Sequence, residues 1–456
     1  MLTVVARFCR DGFATLICSA DDGGAIKKRG LRMSASKYSG PVLASLDIGS
    51  SAVKLVMSHV NPEGKIEVTG VGLAPNSGLK QGVVVNIEAT TECIRRAKEE
   101  AELMSGSKVY DVWVSVSGSH IQSFDSKGMV AVKNKEVNQQ DIDRVIEAAK
   151  AIVIPADRTI LHVLPREYKI DQQDGISDPI GMTGVRLEAN VHIVTASQSA
   201  ILNLTKCIEK AGLKVAGLVM DQVAVTKSVV SLDEKNLGVC IADLGGGACK
   251  LVYLINGSVA HTSMVPVGGT HFTHDVAVGL RTPQVSAEVL KKKHGCALAS
   301  LVDDQETIEV EGVGGRKSRT VARKELAHIL EARAEECLNM VAHDVKMSGL
   351  QPLLGSGLVV TGGSSQLDGL IEMGEFIFDL PLRRGFPALV GGLKDVVKGG
   401  EFATSIGLLF YALEVKKDFY VHLNADPSTT SLFGEAMSDS ISDVTSKMKK
   451  FFTDLF

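Results

Sequence analysis

Two short segments of this sequence carry an acidic residue, glycines and small side chains in the same order. DIGSSAVKLVM covers residues 47–57 and DLGGGACKLVY covers residues 243–253. Six of the eleven positions are identical at an offset of 196 residues. Because glycine lets backbone approach an anion closely, successive backbone N–H groups in such a turn can bind a phosphate. The repeat predicts two phosphate-binding loops, one in each half of a duplicated fold.

The acidic residue that opens each loop limits which ligand fits. Asp47 and Asp243 would repel a phosphate directly, so we expect them to act through Mg²⁺ and its water molecules. The other loop residues expected at the phosphates are Gly49, Ser50, Ser51, Gly245, Gly246 and Gly247. One such loop alone would suit a plain hairpin turn. Two in register favour a triphosphate held between facing loops.

A third segment has the pattern of a nucleoside site. Residues 357–361 form an apolar stretch typical of a buried strand, followed by Gly362 and Gly363 and a helix predicted to begin near Ser364. A strand–Gly-Gly–helix junction lets a flat purine and a ribose lie against bare backbone at a helix N-terminus. The sequence contains no GxxxxGK[ST] element and no GxGxxG after a strand, which disfavours Walker-type and Rossmann sites.

The elements that position these loops must belong to more than one domain, because 456 residues exceed what a single core supports. The chain is 45% hydrophobic and 22% charged, as in ordinary globular proteins, and its net charge of −4 disfavours nucleic-acid binding over the whole surface. Eight cysteines without a CxxC spacing favour buried thiols in a reducing compartment. The first forty residues are predicted to be a disordered extension.

The order of these motifs, with DQVAVTKSVVS at 221–231 and FATSIGLL at 402–409, resembles the actin, sugar-kinase and heat-shock-chaperone ATPase superfamily. Longer runs such as ECIRRAKEEAELM, HVLPREYKID and VEGVGGRKSR are similar to the FtsA family of bacterial cell division proteins, along nearly all of residues 42–415. The resemblance implies ATP and Mg²⁺ as cofactors and at most weak ATPase activity, with no metabolic substrate. It places a water-orienting residue at Gln222, which could equally be a helix cap.

The resemblance implies an α/β, two-lobed actin-like (duplicated RNase H-like) fold with an insertion, and the pattern of the last residues adds a C-terminal amphipathic helix. The expected parts are a disordered extension (1–40), a first lobe (41–117 and 191–225), an inserted α+β subdomain of SHS2 type (118–190), a second lobe (226–420) with a smaller FtsZ-binding subdomain (270–350), a flexible linker (421–440) and a membrane helix (441–456). Within the insertion, the pattern predicts strands at 129–132, 160–170 and 185–194, and a helix at 139–154 capped by Asn138.

A cluster of basic residues lies in the sequence EGVGGRKSRTVARK, at 311–324. Such runs usually form a solvated loop and the start of a helix. The resemblance instead suggests that Arg316, Arg319 and Arg323 bind the C-terminal tail of the tubulin-like protein FtsZ.

The last sixteen residues form an amphipathic pattern. The apolar residues are Val444, Met448, Phe451, Phe452, Leu455 and Phe456, and Lys447 and Lys450 flank them. Because a polar linker precedes this segment, we favour attachment to an anionic membrane over docking on the protein's own core.

The leading functional hypothesis is an ATP-bound adaptor that self-assembles into an actin-like filament. It would lie on the cytoplasmic face of the inner membrane at the division septum, tether FtsZ and recruit late division proteins. Two alternatives remain: a pilus-assembly actin homologue and a sugar-kinase-like phosphotransferase. The sequence shows no clear catalytic base or hydroxyl-binding cleft for the second.

Overall fold

The computed structural model describes residues 4–8, 14–18 and 42–425. Strands β1 (Val4–Phe8) and β2 (Ala14–Cys18) pair antiparallel. The rest of the extension predicted for 1–40, most of the predicted linker and the predicted membrane helix at 441–456 lie outside the described residues. Every helix in the described ranges is too short or too polar to span a bilayer.

The first lobe and its insertion contain the following elements in chain order. They are β3 (Val42–Ile48), β4 (Ala52–Val60), β5 (Ile66–Pro75), β6 (Leu79–Lys80), β7 (Val83–Val84), α1 (Ile87–Ser105), β8 (Asp111–Val116), β9 (Gln122–Ala131), α2 (Gln139–Lys150), β10 (Arg158–Ile170), β11 (Gln173–Ile176), β12 (Arg186–Ser197), α3 (Gln198–Lys210) and β13 (Lys214–Met220).

The chain then passes through two short helices into the second lobe. These later elements are α4 (Asp221–Val225), α5 (Leu232–Leu237), β14 (Val239–Leu244), β15 (Cys249–Ile255), β16 (Ser258–Val265), α6 (Gly269–Gly279), α7 (Gln284–His294), β17 (Thr307–Val310), β18 (Arg319–Ala322), α8 (Arg323–Met347), β19 (Leu358–Thr361), α9 (Leu370–Ile377), β20 (Leu382–Arg384), β21 (Gly391–Gly392) and α10 (Ala403–Ala425).

The two lobes are built on one plan. The first has a sheet in the order β13-β8-β3-β4-β5-β21, and the second has the order β16-β15-β14-β19-β20. In each, an antiparallel hairpin is followed by a strand parallel to the hairpin's first strand: β8 beside β3, and β19 beside β14. The registers also match, with Asp47 opposite Lys54 and Asp243 opposite Lys250. The duplication that the sequence repeat predicts is therefore also present in the pairing of the strands.

The insertion is a separate layer with its own core. Its sheet has the order β11-β10-β12-β9, and α2 packs on it through Ile142, Val145 and Ala149. The predicted cap is confirmed, because the Asn138 side chain accepts a hydrogen bond from the Asp141 backbone N–H at 3.1 Å. The helix ends at Lys150 rather than at 154 as predicted, since the backbone leaves the helical region at Ala151, which has a ψ of 49°.

The C-terminal part of the chain returns to the first lobe. β21 pairs with β5, and α10 packs on β3, β8 and α4. We expected the second lobe to continue to residue 420. Gly407 permits the close approach of α10 to α4, because a Cβ there would lie 2.0 Å from the Ala224 carbonyl oxygen. Apolar side chains on several faces of α10, among them Ile406 and Leu409, suit a helix buried against the sheet. The helix continues to Ala425 and so includes the first residues of the predicted linker.

Candidate nucleotide cleft

The two predicted phosphate loops have the same turn geometry and face each other between the lobes. Gly49 N–H donates to the Ala52 carbonyl at 3.0 Å, and Gly245 N–H donates to the Ala248 carbonyl at 3.1 Å. Across the gap, a Cβ on Gly246 would lie 1.8 Å from Ser51 Oγ. A Cβ on Gly247 would similarly lie 2.9 Å from Ser50 Oγ. Glycine at these positions lets two loops distant in sequence approach within contact distance.

The predicted adenosine motif lies against the second loop. Gly362 has a φ of +89°, and a Cβ there would lie 2.4 Å from Asp243 Oδ1. Ser364 Oγ would lie 2.5 Å from a Cβ on Gly269, the first residue of α6. The helix predicted to begin near Ser364 is a short 3₁₀ helix, Gly363–Gln366. The α-helix begins only at Leu370, because Gly369 adopts a φ of +76° and interrupts helical backbone.

Helix α6 begins on the second phosphate loop. The N–H groups of Gly269 and Thr270 donate to the carbonyl oxygens of Gly245 and Gly246 at 2.9 and 2.8 Å. Lys291 lies beside the start of α6, where its Nζ donates to the Gly269 carbonyl at 2.9 Å. The loop, the start of a helix, a lysine and the adenosine motif therefore converge on one side of the cleft.

A buried cluster of charged residues forms the floor of the cleft. Asp47 Oδ2 accepts from Lys54 Nζ at 2.9 Å, and Asp47 Oδ1 accepts from Ser115 Oγ at 2.8 Å. Lys250 forms an ion pair with Asp221, the first residue of α4. The residues Asp47, Asp221 and Asp243 are at most 9% exposed. The two lysines of the repeat are thus the counter-ions for three aspartates.

The surroundings shift the ionisation of this cluster. Burial raises the pKa of Asp221 to about 6, although the Lys250 charge opposes that shift. Burial likewise raises the pKa of Asp243. For Asp47, burial also acts upward, but the charges of Lys54 and Lys250 outweigh it and the pKa is lowered. The pKa of Lys250 is raised, because the neighbouring aspartates outweigh the effect of its burial.

The donor set fits a hydrated divalent cation. With the three aspartates and the two lysines all ionised, the cluster carries one negative charge in excess. Within residues 42–415, the Asp243 carboxylate accepts no hydrogen bond. In the described parts of the chain, no group of three or more His, Cys, Asp or Glu side chains is arranged to hold a metal by itself. Mg²⁺ at this cluster would therefore be held through water and nucleotide phosphates, and it would neutralise phosphate charge there.

Gln222 is buried at the start of α4. Its side-chain Nε2 donates to the carbonyl of Ser263 in β16 at 3.2 Å, and its backbone N–H donates to Asp221 Oδ1 at 2.8 Å. The amide therefore links α4 to the second lobe. The predicted water-orienting role of Gln222 stays a prediction.

The predicted basic site lies around the β17–β18 hairpin. Arg319 donates to the Leu280 carbonyl at 3.0 Å. Arg323 donates to the His294 carbonyl at 2.8 Å and pairs with Glu306 at 2.6 Å. Arg316 lies exposed in the loop that joins the two strands. Two of the three arginines thus also hold their own subdomain together.

Sequence reasoning missed several residues of the cleft. Lys54 and Lys250 could have been found, because both are identical in the repeat and fall opposite an aspartate once each hairpin is paired. Asp221 stands next to Gln222 in a segment already identified as a connecting motif. No sequence pattern identifies Ser115 or Lys291 as part of the cleft, because strand pairing and helix packing bring them to the loops from distant parts of the sequence.

Comparisons with known protein families match two parts of the chain. The model described as "SHS2 domain inserted in FTSA" matches residues 118–195. The model described as "Cell division protein FtsA" matches residues 240–407. The first match coincides with the inserted layer, and the second contains the second phosphate loop and the adenosine motif.

Whole-length relatives agree with these matches. The chain is 44% identical to Cell division protein FtsA of Pseudomonas aeruginosa over 384 residues, which cover 84% of this chain and 92% of the relative. It is 35% identical to Cell division protein FtsA of Escherichia coli K12 over 418 residues, which cover 90% and 98%. A solved chain titled "PilM-PilN type IV pilus biogenesis complex" aligns with a TM-score of 0.58 at 16% identity, covering 81% of this chain and 98% of that one, and shows the fold alone. The predicted actin-like fold with an SHS2 insertion is confirmed, and the chain belongs to the FtsA family of cell division proteins.

Proposed function

We propose that this protein is an ATP-binding adaptor that assembles on the cytoplasmic face of the inner membrane at the division septum and tethers FtsZ filaments there. The observation that carries the nucleotide part is the pair of matching turns that face each other, with Gly246 and Gly247 against Ser51 and Ser50. A triphosphate with Mg²⁺ suits this place, because backbone N–H groups and hydroxyls can bind phosphate while the excess negative charge attracts the cation.

The proposed FtsZ site is the β17–β18 hairpin together with the start of α8. Arginine forms charge-assisted hydrogen bonds with carboxylates, and an acidic peptide tail would supply those carboxylates. Arg316 is the best probe of this site, because it is exposed and its replacement leaves the internal contacts of Arg319 and Arg323 intact.

The membrane part rests on the apolar stripe of residues 444–456 with its flanking lysines. A single helix of this kind binds an interface weakly and reversibly, so many copies in a filament would act together. Self-assembly and the recruitment of late division proteins belong to the same proposal.

The test is recruitment of fluorescent FtsZ to anionic vesicles by the full chain with ATP and Mg²⁺. We expect the chain to bring FtsZ to the vesicle pellet, and a chain ending at Asp439 to leave both proteins in the supernatant. Arg316→Glu should weaken recruitment by about tenfold or more, since a lost charge-assisted hydrogen bond is worth about 1.5–3 kcal/mol.

Lys133→Glu is the matched control, because it reverses an exposed charge in the insertion and should not change recruitment. Equal pelleting of the full and shortened chains would contradict the membrane anchor. Equal recruitment by Arg316→Glu and Lys133→Glu would contradict the proposed FtsZ site.

A further inference from the structure

We propose that Asp344, near the end of α8, couples nucleotide binding in the cleft to binding of the acidic FtsZ tail at the other end of the same helix. This rests on the proposed function and assigns to one carboxylate the regulation of that function. Asp344 is a positioning residue in this proposal, since it touches neither ligand.

The Asp344 carboxylate ties α8 to two strands of the second lobe. Its Oδ1 accepts a hydrogen bond from the Tyr253 hydroxyl in β15 at 2.6 Å, and a second from Ser263 Oγ in β16 at 2.6 Å. The Tyr253 side chain is fully buried. Hydroxyl groups that donate to an ionised carboxylate form short, strong hydrogen bonds, so this junction fixes the helix on the sheet.

Of these two strands, β15 begins directly after the second phosphate loop and β16 contacts α4. Tyr253 follows Lys250 by three residues on β15, and Lys250 forms the buried ion pair with Asp221. The carbonyl of Ser263 accepts from Gln222, which follows Asp221 on α4. A displacement of the second phosphate loop or of α4 is therefore transmitted to the two hydroxyls that hold Asp344.

A second connection joins α8 to the same loop near the middle of the helix. Arg333 Nη2 donates to Asp275 Oδ1 in α6 at 3.1 Å, and its Nε pairs with the other oxygen of that carboxylate. The first N–H groups of α6 donate to the carbonyl oxygens of Gly245 and Gly246. Arg333 and Asp344 lie about 16 Å apart along the helix at 1.5 Å per residue. Two attachments at that separation control the direction of the helix as well as its position.

The other end of α8 lies at the proposed peptide site. The helix begins at Arg323, about 32 Å from Asp344 at the same rise per residue. Arg323 holds the neighbouring α7 through the His294 carbonyl, and β18 leads into the helix from Arg319. Because a continuous helix moves as a unit, a small rotation imposed at Asp344 displaces the arginines at its start. Nucleotide and peptide would then favour the same orientation of α8, which is the condition for coupling between two sites.

The test measures the affinity of a labelled FtsZ C-terminal tail peptide for the full chain by fluorescence anisotropy, with and without saturating AMP-PNP and Mg²⁺. For the natural chain we expect the nucleotide to lower the peptide Kd by about fivefold or more, within the usual range of allosteric coupling. In Asp344→Asn the ratio of the two Kd values should fall to about one, while calorimetry gives an AMP-PNP Kd within about threefold of the natural value. Tyr253→Phe, which removes one of the two donors and keeps the ring, should reduce the ratio to an intermediate value.

The matched control is Glu335→Gln, which neutralises an exposed carboxylate on the same helix and should keep the full ratio. Coupling that persists in both Asp344→Asn and Tyr253→Phe overturns the proposal, as does a natural chain that binds both ligands without coupling. A natural chain that binds one ligand or neither would instead contradict the proposed function, and with it this inference. Loss of coupling in Asp344→Asn but not in Glu335→Gln supports it.

Discussion

The replacement Lys250→Met removes one of the two positive charges from the cleft floor and keeps an unbranched side chain that is one atom shorter. In the natural protein, Lys250 pairs with the buried Asp221 and also lies close enough to Asp47 and Asp243 to affect their ionisation. The variant leaves three buried aspartates facing the single charge of Lys54. Breaking a buried ion pair from one side costs about 3–5 kcal/mol, because the remaining charge is left without a partner.

A second replacement and the pH dependence of stability make this prediction more specific. Asp221→Asn combined with Lys250→Met restores the excess of one negative charge, so the double variant should recover much of the lost stability. The pH dependence follows from the raised pKa of Asp221, about 6 in the natural protein. A raised folded-state pKa means that the folded chain holds the proton more tightly than the unfolded one. The stability from that proton is fully present below the unfolded pKa near 3.8 and is lost as the pH rises through the folded pKa.

Removing Lys250 should raise the pKa of Asp221 further, so the variant should lose more stability at pH 8 than at pH 5. Urea unfolding followed by circular dichroism at both pH values measures this difference. The reasoning is refuted if the loss is equal at pH 5 and pH 8, or if Asp221→Asn does not improve the Lys250→Met chain.

Two further replacements test the local geometry. Asn138→Ala should lower the free energy of unfolding of the insertion by about 0.5–2 kcal/mol, measurable by urea unfolding, because it removes the cap of α2; an unchanged midpoint would contradict the cap. Gly72→Ala should lower the free energy of unfolding by about 1–3 kcal/mol or more, since its Cβ would lie 1.7 Å from the Ala97 carbonyl oxygen in α1. Thermal unfolding measures this loss, and a melting temperature equal to that of the natural chain would contradict the close packing of α1 on β5.

The parts of this structure that the sequence predicts are those encoded locally. The repeat predicts the two matching hairpin turns, because glycine permits the tight backbone turn that joins the two strands in each half. The periodic apolar residues of α2 and its cap predict its start correctly, but they do not predict that it ends at Lys150. Family resemblance extended these local features to the actin-like fold with its inserted SHS2 domain.

The parts that could not be predicted depend on pairing between distant segments. The apolar pattern of α10 shows that the helix is buried, but gives no preference for one lobe over the other. Asp221 meets Lys250 only because α4 crosses the end of the second hairpin, and Ser115 reaches Asp47 only because β8 lies parallel to β3. Such contacts require the topology, which no window of neighbouring residues contains.

The central claim, that nucleotide binds between the repeated loops, is tested most directly by a crystal structure of the full chain with AMP-PNP and Mg²⁺. We predict phosphates held between Ser50–Ser51 and Gly245–Gly247, the nucleoside beside Gly362–Ser364, and the cation linked through water to Asp243. Nucleotide bound at another place on the protein would contradict the account, and so would a cleft in which Ser51 still contacts Gly246 at saturating nucleotide.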